Sequence, residues 1–102
     1  MLKIKIYLDY HCYPVWVYNE KGELIDNNLP EELVNDKEID EAFVKIQNVY
    51  DGLFIDNSTE FSYIGFSNEY KKEEYLKMIG RAVNLIKSKL CESYEFEDKV
   101  EV

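Results

Sequence analysis

Apolar and polar side chains alternate from the first residues of the chain. Leu2, Ile4, Ile6 and Leu8 interleave with Lys3, Lys5, Tyr7 and Asp9, the period of two that a strand with one buried face requires. His11 to Pro14 turns the chain, and Val15 and Val17 then alternate with Trp16 and Tyr18 before Asn19, Glu20, Lys21 and Gly22 turn it again. A third short strand is expected at Glu23 to Ile25. Together these segments predict an N-terminal antiparallel hairpin or meander with one aliphatic and one aromatic face.

The period then lengthens. After a loop from Asp26 to Pro30, Pro30 opens a short turn through Glu31 to Val34. From Asp36 or Lys37 onward, Ile39, Phe43, Ile46, Tyr50 and Leu53 recur at steps of four and three, the stripe of an amphipathic helix, with Gly52 closing it. Phe54 and Ile55 precede a turn over Asp56, Asn57, Ser58 and Thr59, and Phe61 to Phe66 reads as a further strand. Ser67 or Asn68 caps a long C-terminal helix whose apolar stripe is Tyr75, Ile79, Ala82, Val83, Ile86 and Leu90. The acidic tail, about 92–102, alternates Tyr94, Phe96, Val100 and Val102 with acids, as either an edge strand or a loose tail. The fold class is α+β, with the long helix packed on the sheet, in a single domain spanning 1–102.

Length and composition agree with that reading. A chain of 102 residues with 46% hydrophobic content can bury roughly 65% of its unfolded surface around one core. Nine Tyr and five Phe distinguish it from a disordered acidic protein. The N-terminus lacks the continuous apolar stretch of a secretory signal and no run reaches transmembrane length, so a soluble cytoplasmic protein is expected. Cys12 and Cys91 suit two reduced thiols better than a disulfide scaffold, with a bond between them left open.

Charge adds the most. Residues 20–60 hold twelve acidic and three basic side chains, so the whole formal charge of −9 is concentrated in that stretch. Such a field attracts basic partners and repels nucleic acid and anionic membranes, so neither of the latter is an expected partner. The acids singled out as partner-binding are Asp26, Glu31, Glu32, Asp36, Glu38, Asp40 and Glu41. Their alternative role is a solubility device on exposed helix faces. Tyr7, Trp16 and Tyr18 lie opposite Ile4, Ile6, Val15 and Val17. A helix could cover them as second-layer core; left exposed, they become binding anchors that combine with the acids into one protein-binding surface.

Candidate chemistry is thin. His11 and Cys12, with Asp9 to orient the imidazole, invite a nucleophile and base reading, but neighbouring residues in a strand point to opposite faces and the chain has one His. His11, Cys12 and Cys91 lack zinc-ligand spacing, and Asp51, Asp56, Asn57 and Glu60 lack the spacing of a calcium loop. The pairs Glu31 and Glu32, Asp40 and Glu41, and Glu73 and Glu74 read as exposed helix faces rather than acid–base catalysts. No enzyme activity, catalytic residue, metal or cofactor is expected.

The segments IYLDYHCYPVW, NNLPEEL, YDGLF and FSYIGF stand out as family-type blocks. In size, acidity, α+β pattern and Tyr-rich strands the whole chain resembles the small immunity proteins that bacteria make beside polymorphic or contact-dependent toxins. That resemblance implies a tight complex with a cognate toxin domain, often a nuclease with a basic cleft, and carries over no functional residue. Three rival readings stand beside it. One is a phage-encoded inhibitor that mimics nucleic acid to block a nuclease or CRISPR effector. Another is a small enzyme using His11 and nearby carboxylates, and the last is a subunit of a larger assembly. Oligomeric state is left open.

Overall fold

The computed structural model describes residues 2–57, 59–90 and 94–100. In chain order they form β1 (Leu2–Ile6), β2 (Val15–Tyr18), β3 (Leu24–Asp26), a 3-10 turn (Glu31–Leu33), α1 (Lys37–Asp51), β4 (Phe54–Asp56), β5 (Phe61–Tyr63), α2 (Glu69–Leu90) and β6 (Tyr94–Asp98). A four-stranded sheet has the order β3-β2-β1-β6, and β4 and β5 form a separate two-stranded ribbon. The α+β expectation holds.

The alternation in β1 and β2 sets the layering. Antiparallel pairing matches Ile4 with Val17 and Ile6 with Val15, and places Lys3 beside Tyr18 and Lys5 beside Trp16 on the other face. Ile4, Ile6, Val15 and Val17 are buried. Both helices cover this aliphatic face: Ile39, Phe43 and Ile46 of α1 and Tyr75, Ile79, Val83 and Ile86 of α2 join Ile4, Ile6 and Val15 in one core. Burial of a Leu, Ile or Phe side chain is worth roughly 1.5–3 kcal/mol, so this sheet–helix layer holds the fold together.

Local signals explain the boundaries. Asn19 closes the β2–β3 hairpin by accepting from the backbone N–H groups of Lys21 and Glu23, both at 2.9 Å, while Gly22 takes the positive φ of 82° that the turn needs. The Asp36 carboxylate accepts from Ile39 N–H at 3.2 Å and so caps α1. Asn68 does the same for α2 through Lys71 N–H at 2.8 Å. Tyr75 donates its hydroxyl to the Ile46 carbonyl at 2.8 Å and ties the two helices together.

Three segments differ from the sequence expectation. The third strand starts one residue later, at Leu24. The strand expected over Phe61 to Phe66 ends at Tyr63, because Ile64 and Gly65 turn their N–H groups to the Leu53 carbonyl at 2.7 and 3.2 Å, with Gly65 at φ 70°. Phe54–Asp56 becomes its strand partner, since Asn57 Oδ1 accepts from Thr59 N–H, Thr59 Oγ1 and Glu60 N–H, all at 2.9 Å, and makes a tight turn between them. Within the described part of the tail, Tyr94–Asp98 is an edge strand. β6 runs parallel to β1, pairing Leu2 with Tyr94 and Ile4 with Phe96. Cys91, Ser58 and Val102 lie outside the described residues, and so does any bond between Cys12 and Cys91.

Candidate partner-binding surface

Beyond the end of β1 the chain builds an aromatic cluster. Asp9 to Cys12 forms a turn closed by Cys12 N–H donating to the Asp9 carbonyl at 3.1 Å. His11 occupies the left-handed region at φ 58°, where a residue with a Cβ pays a steric penalty. Asp51, at the end of α1, holds it there by accepting from His11 N–H at 2.9 Å. The Tyr10 ring stacks on His11 at 4.0 Å and lies 4.8 Å from Phe54 and 5.0 Å from Phe61. Its hydroxyl donates to Asp56 at 3.1 Å.

The ribbon's register explains why these rings meet. Phe54 pairs with Tyr63 and Asp56 with Phe61, and cross-strand partners share a face. Phe54 and Phe61 stack at 5.5 Å, and Tyr50 of α1 packs on Phe54 at 5.2 Å. Despite these contacts Phe61 is 58% exposed, Tyr63 48% and Tyr7 47%. Burial raises the Tyr50 hydroxyl above its ordinary value, with Asp9, Tyr63, Tyr7 and Asp51 adding to the effect. The turn that follows β1 carries Tyr10 onto Phe54 and Phe61, and so joins the end of β1 to the ribbon.

The residues expected from sequence divide into two sets. Tyr7, Trp16 and Tyr18 lie on the sheet face opposite the helices. Trp16 donates its indole N–H to the Tyr7 carbonyl at 3.0 Å, and Lys5 sits 4.7 Å above the Tyr18 ring. The carboxylates lie on the other side of the sheet. Asp26, Glu31 and Glu32 rim a hollow over Val17, Leu29 and Tyr94, and Asp36, Glu38, Asp40 and Glu41 belong to the start of α1. The structure brings neither set to the other.

Many of these acids have structural partners. Lys89 of α2 pairs with Asp36 at 2.7 Å and Glu38 at 3.6 Å. The Lys89 hydrogen bond, with the cap to Ile39, holds the Asp36 carboxyl below its usual value. Tyr13 donates its hydroxyl to Asp40 at 3.1 Å and Tyr94 donates to Glu32 at 2.7 Å. Burial pushes Tyr94 up to about 12, and the Glu32 bond adds to it. Burial and Asp40 likewise raise Tyr13. The side-chain carboxylates of Asp26, Glu31 and Glu41 make no hydrogen bond or ion pair among the described residues.

A family model described as Serratia CdiI immunity protein-like matches residues 2–97. The chain belongs to the Serratia CdiI immunity protein-like family. No curated protein matches it. Family membership gives the chain an immunity role in general terms, in agreement with the resemblance read from its sequence.

Desolvation raises the Cys12 thiol, and the Asp9 and Asp51 carboxylates raise it further, the opposite of what an activated thiolate requires. Among the described residues no three His, Cys, Asp or Glu side chains are grouped to hold a metal, and no helix is long and apolar enough to cross a membrane. An open groove of about 570 Å³ lies between α1 and α2, lined by Val49, Leu53, Phe66, Tyr70, Tyr75 and Met78 among others, and His11 is not part of its wall.

Sequence reasoning missed Tyr10, Phe54, Phe61 and Tyr63 as surface-forming residues, and treated Asp9, Asp51 and Asp56 as parts of separate motifs. One signal was present: Phe54 with Asp56, and Phe61 with Tyr63, keep the spacing of two that puts each pair on one strand face. Their meeting with Tyr10 depends on a contact across more than forty residues, which no local pattern encodes.

Proposed function

We propose that the chain neutralises a cognate bacterial toxin domain by binding it in the cytoplasm, without catalysis, through an acidic, aromatic-rich surface. The family match over residues 2–97 carries this reading. A toxin that acts on nucleic acid needs a cationic cleft, and a protein of formal charge −9 is drawn to such a cleft before contact. Steering raises the association rate, and desolvated aromatic anchors slow dissociation. The carboxylates of Asp26, Glu31 and Glu41, unpaired among the described residues, add to the attracting field. Glu32, Asp36, Glu38 and Asp40 contribute charge while also serving the fold. Tyr7, Trp16 and Tyr18 offer rings on a sheet face that no described helix covers.

Copurification with the toxin domain encoded immediately upstream tests the reading, followed by calorimetry at 50 and 500 mM salt. A complex that is weakened by salt and silences the toxin is expected. Full toxin activity in the presence of excess folded protein, with no heat of binding at either salt concentration, would refute it.

A further inference from the structure

The geometry points to the aromatic end of the molecule, centred on Phe61 and Tyr10, as the docking face for an arginine- and lysine-bearing surface of the toxin. This inference rests on the proposed immunity reading and locates its interface. It moves the centre of contact away from the seven carboxylates that the sequence singles out and toward Asp9, Asp51 and Asp56.

Three observations converge there. The first is exposed apolar area on a rigid base. Phe61 is 58% exposed, yet it stacks on Phe54 with only 11° between the rings and meets Tyr10 edge-on. Anchored aromatic side chains lose little conformational freedom on binding, which is why they dominate interface energetics. The ribbon that carries it has only three residues in each strand, and its position is held through Tyr10 and Tyr50.

The second observation is unneutralised charge. Asp9 accepts from Tyr10 N–H, Asp51 from His11 N–H and Asp56 from the Tyr10 hydroxyl, each through one oxygen. Their other oxygens make no hydrogen bond, and none of the three forms an ion pair, among the described residues. Asp36, Glu38 and Glu97, in contrast, are paired with lysines. A fixed carboxylate beside an aromatic ring suits a guanidinium, which binds the one bidentately and stacks on the other. The matching surface is therefore cationic protein rather than nucleic acid.

Continuity is the third. Tyr7 contacts Trp16 edge-on at 6.2 Å, and the turn that follows it carries Asp9, Tyr10 and His11, which reach Phe54, Phe61 and Asp51. Rings and carboxylates therefore run from the end of β1 through its turn to the ribbon. On the helix side, Asp36 and Glu38 are paired with Lys89.

The test uses three forms of the full chain against the toxin domain encoded upstream, with folding checked by circular dichroism. Phe61→Ala removes an exposed ring and is expected to weaken affinity at least about tenfold. The triple variant Asp9→Asn, Asp51→Asn and Asp56→Asn keeps every hydrogen-bond acceptor and removes three charges. Its association rate should fall about tenfold at low salt, and the difference should narrow at high salt. Glu73→Gln, Glu95→Gln and Asp98→Asn remove the same charge from elsewhere and should change affinity less than about threefold.

Equal losses in the two triple variants would reduce the effect to net charge and overturn the proposed location, as would unchanged affinity in Phe61→Ala. Self-association of the wild type that Phe61→Ala abolishes would make the occupant a second copy of the chain and overturn the toxin as its partner. If the wild type itself fails to bind, the immunity reading falls. If the wild type binds and these variants bind equally well, only the location falls.

Discussion

Replacement of Tyr75 by Phe tests the contact that fixes the end of α1, and with it the position of Tyr50 and Asp51. Tyr75 is 4% exposed and donates to the Ile46 carbonyl at 2.8 Å. The variant keeps the ring, its packing on Phe66 at 5.3 Å and the surrounding core. It loses one hydrogen bond. Ile46 lies within α1, so its carbonyl retains a helical partner and no acceptor is orphaned; the net cost is about 1 kcal/mol, or roughly 5 °C in Tm for a domain of this size. Burial raises the Tyr75 hydroxyl above its ordinary value, which adds a pH signature. A group whose folded pKa is raised contributes its stability in full below the unfolded value near 10, and that contribution is lost as pH rises toward the folded one. At pH 11 the unfolded wild type gains at most about 1.4 kcal/mol from ionising this tyrosine, a gain unavailable to the variant. Urea unfolding should therefore show Tyr75→Phe to be less stable at pH 7.5, with the deficit closed or reversed at pH 11. An equal deficit at both pH values would refute a buried, protonated hydroxyl, and no deficit at pH 7.5 would refute the bond's contribution.

Lys89→Met should be less stable than wild type at pH 7, and the difference should shrink as pH falls below about 4. The Asp36 carboxyl is depressed by Lys89, so its contribution is present above the unfolded carboxylate value and lost as pH falls through the folded one; urea midpoints at pH 7, 4 and 2.5 read it, and a pH-independent deficit refutes it. His11→Gly relieves a left-handed residue while keeping its backbone bond to Asp51. It should be up to about 1 kcal/mol more stable and yet bind the toxin more weakly, because the imidazole stacked on Tyr10 is gone. Thermal melts and calorimetry on the same sample check both halves, and a destabilised variant would contradict the strain argument.

How far the fold was legible follows from the range of each interaction. β1 and β2 were readable because Leu2 to Leu8 and Val15 to Tyr18 alternate for several residues, and α1 and α2 because their stripes persist over several turns. The β4–β5 ribbon was only half seen. Three-residue strands carry almost no period, and Asn57, which joins them, reads locally as any polar turn. The parallel docking of β6 on β1 pairs Leu2 with Tyr94, a match that local pattern does not encode. For the candidate surface, alternation correctly placed Tyr7, Trp16 and Tyr18 away from the aliphatic face. The Tyr10 cluster was invisible because its members come from the Asp9–Cys12 turn, the end of α1 and the ribbon.

The acidic stretch carries two kinds of carboxylate, and the difference bears on how such a charged segment can fold. Concentrated negative charge opposes compaction, yet Glu32, Asp40 and Asp56 each accept from a tyrosine hydroxyl, on Tyr94, Tyr13 and Tyr10 respectively. A phenol offers a donor without a compensating charge. Each pair fixes the acid to the sheet or its turns and leaves the field of the segment undiminished. A lysine at the same position would neutralise what it fixed, as Lys89 does for Asp36 and Glu38. An abundance of Tyr beside an excess of acid is then one arrangement rather than two compositional facts: the hydroxyls let the chain fold around charge that it retains for a cationic partner. Exchange of Tyr10 for Phe separates these roles, because it frees Asp56 without altering net charge or removing the ring.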